Sequence, residues 1–123
     1  MVLGFQPRFK EPILADIKIH SLRADMHGRW KAGRSIQFAT GVRTSRYECF
    51  KEGICVSTQE VKIHISGKKS KRYVEVYVDG RPFDSEELET LARKDGFKST
   101  KDFLDFFDKT FEGVIIHWTN FKY

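Results

Sequence analysis

The run Lys18-Ile19-His20-Ser21-Leu22-Arg23 puts an amine, a hydroxyl and a guanidinium on neighbouring positions. A lysine beside a hydroxyl can hold a phosphate or a carbonyl oxygen, or can activate the hydroxyl as a nucleophile. Arg29-Trp30-Lys31 follows, with Ala32-Gly33 closing it as a turn. Such a basic-aromatic cluster can stack a base and hold its phosphates, with stacking worth roughly 1–3 kcal/mol per base. These residues also have plainer roles. Lys18 and Arg23 can be anion binders, Ser21 a hydroxyl that satisfies backbone, and Trp30 a core residue between solvated charges.

The charge distribution extends this. Residues 1–50 carry nine Lys/Arg against four Asp/Glu, residues 51–82 seven against four, and residues 83–123 six against nine. The basic excess therefore lies in the first two thirds, as expected for a polyanionic partner, and RNA or a nucleotide is the first candidate. Arg43, Arg46 and Tyr47 extend a basic surface or form a solvated loop. Lys68, Lys69, Lys71 and Arg72 contact a phosphate backbone or serve solubility. Cys49 and Cys55 do not form a Cys-x-x-Cys knuckle, and His20, His27, His64 and His117 show no ligand spacing, so neither a metal nor a cofactor is expected. His20 is the histidine best placed to titrate beside the candidate site.

Positioning these groups falls to one domain, given a chain of 123 residues with eleven Phe and 40% hydrophobic content. No apolar run is long enough to span a membrane. The stretch Met1 to Arg8 lacks the charged start and apolar core of a secretion signal, so a cytoplasmic protein with free thiols is expected.

Pro7 to Asp16 reads as a short helix with Pro12 in its first turn, and Lys18 to Arg23 as an imperfect strand with Ile17, Ile19 and Ser21 on one face and Lys18, His20 and Leu22 on the other. Ser35 to Thr40 reads as a strand with Ile36 and Phe38 inward, and Lys51-Glu52-Gly53 as a turn. Cys55 to Ser66 alternates through Val61, Ile63 and Ile65, and Tyr73 to Val78 through Val74, Val76 and Val78. Gly67 to Lys71 joins them as a charged loop, and Asp79-Gly80 is a tight-turn signal. Asp84 and Glu87 form a capping box for a helix that buries Leu88 and Leu91, runs to about Lys94 and ends at Gly96. Ser99 caps a second helix whose Phe103, Leu104, Phe106 and Phe107 face the core, and Gly113 to Phe121 closes the chain as a strand that pairs with an early one. This order predicts an α+β fold: a small, mostly antiparallel sheet or barrel of five to six strands, with two or three helices over one opening.

Pro12 to Arg23 resembles the Gly-x-Lys-x-x-Thr-x-Arg signature of the ASCH domain family, in the PUA-like superfamily. Trp30-Lys31-Ala32-Gly33 is similar to the turn that follows it, Asp95-Gly96-Phe97 to the family's acidic-Gly-Phe segment, and Val114 to Trp118 to its last strand. The likeness spans most of the chain. It implies a single PUA-like β-barrel domain with a basic ligand cleft for RNA or a nucleotide, and in some members an amidohydrolase that deacetylates an acetylated cytidine nucleoside. Carried over, the catalytic lysine is Lys18, the threonine Ser21 and the acid Asp95, while Arg23 is the signature arginine. Asp16 stands where the signature has glycine. The ligand-binding set expected is Lys18, Arg23, Arg29, Trp30 and Lys31. As an enzyme, Ser21 would attack the acyl carbon, Lys18 activate it and Asp95 pass a proton to the leaving amine, with Lys18's pKa lowered by burial or by Arg23.

Overall fold

Val61 and Ile63 are fully buried while Glu60 and His64 face solvent, so period-two burial runs along the longest strand as its alternation predicts. The structure, a computed structural model, describes residues 1–68 and 70–123. In chain order these are β1 (Val2–Phe5), a 3₁₀ turn (Pro7–Phe9), α1 (Lys10–Leu14), β2 (His20–Arg23), β3 (Ser35–Thr40), β4 (Glu48–Ile54), β5 (Ser57–Lys68), β6 (Lys71–Val78), β7 (Arg81–Pro82), α2 (Ser85–Lys94), α3 (Thr100–Phe106) and β8 (Phe111–His117). One sheet has the order β2-β8-β5-β6-β7, antiparallel throughout. The other has the order β1-β3-β4, with β1 parallel to β3.

The fold is thus α+β, but its hydrogen-bond ladders leave two separate sheets rather than a closed barrel among the described residues. Aromatic packing joins them. Trp118, just after β8, meets Phe38 of β3 at 4.9 Å and Phe5 of β1 at 6.2 Å between ring centroids. There are eight strands among the described residues, more than the five to six expected. The extra ones are short or lack clean alternation: β1 has four residues, β7 two, and β4 sets Phe50 and Ile54 among Glu48, Lys51 and Glu52 without a buried face. Lys51-Glu52-Gly53 is not a turn but the interior of β4, paired with Phe38, Gln37 and Ile36. Gly53 is fitted there by packing, because a Cβ would lie 3.1 Å from the Phe38 ring.

Both late helices begin as predicted. Asp84 accepts from the Glu87 amide while the Glu87 carboxylate accepts from the Asp84 amide, and Ser99 accepts from the Asp102 amide. Leu91 and Phe103 are buried and Leu88 is half-buried. Asp79 and Gly80 both adopt left-handed φ, 50° and 77°, the conformation a two-residue hairpin turn requires. The closing strand β8 pairs with the early strand β2, aligning His20 with His117. Cys49 is exposed, Cys55 is buried, and both are free. Lys68 and Lys71 end β5 and begin β6, and Lys69 lies outside the described residues. No helix among the described residues is long and apolar enough to cross a membrane.

Candidate functional site

The chain turns sharply after α1. Asp16 adopts φ 57°, the left-handed conformation that a short polar side chain tolerates and that the glycine of the signature would adopt freely. The amides of Ile17 and Lys18 both donate to the Pro12 carbonyl, at 2.9 and 3.0 Å, and wrap the helix end. The Ile19 amide donates to the Lys94 carbonyl at 2.8 Å, which pins the segment to the end of α2. This orientation puts the amine inward: Ile17 is 61% exposed, whereas Lys18 is 2% exposed and His20 fully buried. An apolar-inward rule would choose the other face.

Burying an ammonium is costly unless every proton finds a partner. Lys18 Nζ donates to the carbonyls of Asp95 at 2.6 Å and His20 at 2.9 Å, lies 3.2 Å from Asp95 Oδ1, and sits 4.8 Å over the Phe9 ring. Gly96 allows this approach. Its φ is 91°, and a Cβ there would lie 3.0–3.1 Å from Lys18 and Phe9 side-chain atoms. Burial pushes the Lys18 pKa down to about 8, with Asp95 pulling the other way and Arg23 adding a smaller push down.

Asp95 Oδ1 also faces His20 Nδ1 at 2.9 Å, and His20 Nε2 lies 2.6 Å from the Tyr123 hydroxyl. Burial lowers the pKa of His20 and raises that of Tyr123 far above its usual range. The neutral imidazole therefore donates from Nδ1 to the carboxylate and accepts from the phenol at Nε2, a tautomer assigned from its two partners. Gln59 fixes Tyr123 in turn, accepting from its amide and donating to its carbonyl, both at 2.9 Å.

On the other side, Arg23 Nε donates to Ser21 Oγ at 3.0 Å and Nη2 to the Gly4 carbonyl at 2.7 Å, with the guanidinium 4.9 Å over Phe5. A cavity of about 320 Å³ opens between these groups. It is lined by Lys18, Ser21, Arg23 and Asp95, and walled by Phe5, Phe9, Phe97, Phe106, Phe107 and Phe111. That size lies within the range of small-molecule sites, about 300–1,000 Å³. Phe106, expected in the core, is 46% exposed because it forms the cavity's outer wall.

Four of the residues singled out from sequence thus share one hollow. Arg29, Trp30 and Lys31 do not line it. Arg29 is exposed, Trp30 is half-buried against the core, and Lys31 is exposed in the turn that follows. Arg43, Arg46 and Tyr47 lie on an exposed bend. No hydrogen bond joins Lys18 Nζ to Ser21 Oγ, whose partner is Arg23. Among the described residues, no cluster of His, Cys, Asp or Glu is arranged to hold a metal ion. Sequence reasoning passed over His20 as a partner of Asp95, although its place between Lys18 and Leu22 on one strand face was a usable signal. Tyr123 and the aromatic walls gave no such signal, since only packing brings them here.

No family model, curated protein or solved structure matches the chain.

Proposed function

We propose that this cavity binds a nucleobase-bearing ligand, a nucleotide or an RNA nucleotide, and that the chain is a PUA-like domain of ASCH type whose two sheets are the halves of an open barrel. The observation that carries the reading is the convergence of Lys18, Ser21, Arg23 and Asp95 on one aromatic-walled hollow. A base needs flat apolar surfaces for its faces and a few fixed donors and acceptors for its edge. Phe106 and its neighbours offer the first. For the second, Asp95 supplies an acceptor and Ser21 a hydroxyl whose proton is not used by Arg23. Arg23 supplies a cation, since Nη1 makes no hydrogen bond among the described residues. Lys18 stays out of the recognition set, because its protons are taken up by two carbonyls and a carboxylate; it holds Asp95 in place.

Titration of the protein with the four ribonucleosides and their monophosphates tests this. At least one binds, Asp95→Asn weakens it about tenfold or more, and Phe106→Ala removes the stacking contribution. Absence of binding by all of them, or affinity unmoved by both substitutions, refutes it.

The second reading is an amidohydrolase acting on an acetylated cytidine nucleoside. It is favoured by a lysine of pKa about 8 sharing a cavity with a hydroxyl and a carboxylate. Ser21 would attack the acyl carbon and break its amide C–N bond, Lys18 as the neutral amine would take the hydroxyl proton, Asp95 would relay that proton to the departing amine, and water would then hydrolyse the acyl-Ser21 ester to acetate and the free hydroxyl. Lys18 must leave one of its carbonyl partners to reach Ser21, so this reading requires a rearrangement that ligand binding does not. Deacetylation of acetylated cytidine, abolished by Lys18→Ala and by Ser21→Ala, distinguishes the two.

A further inference from the structure

Both sheets end in a free edge along one seam. β1 pairs with β3 alone and β2 with β8 alone. Among the described residues one hydrogen bond crosses between them, from Arg23 Nη2 to the Gly4 carbonyl. Outside that bond lies a second hollow of about 450 Å³, walled by Val2 and Leu3 on one side and by Ala24 and Met26 on the other. The ladder shows which backbone groups face it. The Gln37 amide donates to the Met1 carbonyl at 2.9 Å, so Met1 turns its carbonyl to β3. Successive residues of a strand turn their peptide groups to opposite sides, which sends those of Val2 and Gly4 outward. The Gly4 carbonyl is the one that Arg23 holds. The Val2 amide and carbonyl point into the seam, and no strand of the fold pairs with them.

Charge and proline blunt free sheet edges. β4 carries Glu48, Lys51 and Glu52, β7 is Arg81–Pro82, and β2 ends in Arg23. β1 is Val-Leu-Gly-Phe, with neither charge nor proline. Exposed Val2 and Met26 and the half-buried Trp30 add apolar surface beside it.

We propose that this hollow takes an extended, acidic peptide segment of another protein, which adds a strand to β1 through the Val2 amide and carbonyl. Its apolar side chains, at alternate positions, meet Val2, Met26 and Trp30. Charge selects an acid for the rim. Arg29 is exposed and pairs with no carboxylate among the described residues. Asp25 keeps its charge, but its two oxygens accept the Arg29 and Trp30 amides at 2.8 and 3.0 Å, which commits it to its own loop. Arg23 stays on Ser21 and Gly4 and closes the inner end, so the first cavity keeps its own ligand and the peptide site does not rest on the nucleobase reading. A second folded copy is the poorer fit, because the edge lies between two walls and a folded copy brings a whole sheet where one strand is wanted.

The probes are a capped hexapeptide alternating valine and glutamate, labelled with a fluorophore, and its copy with lysine for glutamate. By fluorescence anisotropy the glutamate peptide binds the protein at least fivefold more tightly than the lysine peptide. Val2→Pro removes the seam-facing amide at no cost to the β3 ladder and weakens the glutamate peptide about fivefold or more. Val2→Thr keeps that amide and stays within about twofold of the parent. Arg29→Glu, an exposed change that leaves the core intact, reverses the preference between the two peptides. Nucleoside affinity is the same in all three variants and the parent. No binding of the glutamate peptide, equal binding by Val2→Pro and the parent, or a charge preference that Arg29→Glu leaves unmoved overturns the proposal. So does a parent that sediments as a dimer which Val2→Pro dissolves, since a second copy would then occupy the edge. None of these results bears on the first cavity.

Discussion

Replacing Asp95 by asparagine removes the carboxylate that faces both Lys18 and His20 while keeping the side chain's shape. The parent's behaviour follows from Lys18, whose pKa of about 8 in the folded protein lies below the ordinary lysine value of 10.5. Between those values the unfolded chain binds a proton that the folded one has released. Stability therefore rises with pH across the window, by about 3 kcal/mol at about 1.4 kcal/mol per unit. Without Asp95 the opposing attraction is gone, burial and Arg23 act unopposed, and the Lys18 pKa falls further. Near pH 7 the parent keeps an ammonium stabilised over the neutral amine by about 1.4 kcal/mol, and the variant loses this. Exchanging the charge-assisted bond from His20 for a neutral one adds about 1 kcal/mol. Asp95→Asn thus costs about 2–3 kcal/mol near pH 7. Near pH 9.5 the parent's Lys18 is itself neutral, so the gap narrows to about 1 kcal/mol. Urea unfolding of both proteins at the two pH values measures it. A gap that does not change with pH, or a variant as stable as the parent near neutrality, refutes the coupling of Lys18 to Asp95.

Gly96→Ala destabilises by about 2 kcal/mol or more, because φ is 91° and the new methyl would crowd Lys18 and Phe9; thermal unfolding reads it. Tyr123→Phe leaves His20 Nε2 without its donor and costs about 1–3 kcal/mol, read by urea denaturation. The same variant leaves the native protein's alkaline tyrosine absorbance change intact, since Tyr123 is too strongly shifted to ionise before unfolding; a loss of one tyrosine's amplitude contradicts this. Phe103→Ala costs about 3–5 kcal/mol, whereas half-exposed Phe106→Ala costs clearly less and acts on ligand binding, a contrast that paired denaturation and titration curves expose.

Local chemistry in the sequence was sufficient for most elements. The alternation of Val61 and Ile63 and the capping residues Asp84, Glu87 and Ser99 act over a few positions, and so do the Asp79-Gly80 turn and the stop at Gly96; each appears where it was expected. What escaped was structure whose stabilisation is non-local. β1 is too short to signal itself and exists because β3 pairs with it, and β4 reads as a turn until the β3 ladder holds it extended.

The site divides along the same line. Residue types and spacing along the chain singled out an amine, a hydroxyl and a guanidinium, Lys18, Ser21 and Arg23, and only the family resemblance added Asp95 to them. Tertiary structure alone decided that the amine faces inward with Ile17 left in solvent, and that His20 and Tyr123 stand behind Asp95. It also put Trp30 in a neighbouring hollow. The reason is energetic. A lysine is buried only where carbonyls and a carboxylate can surround its three protons, and most of those partners lie 77 residues away along the chain.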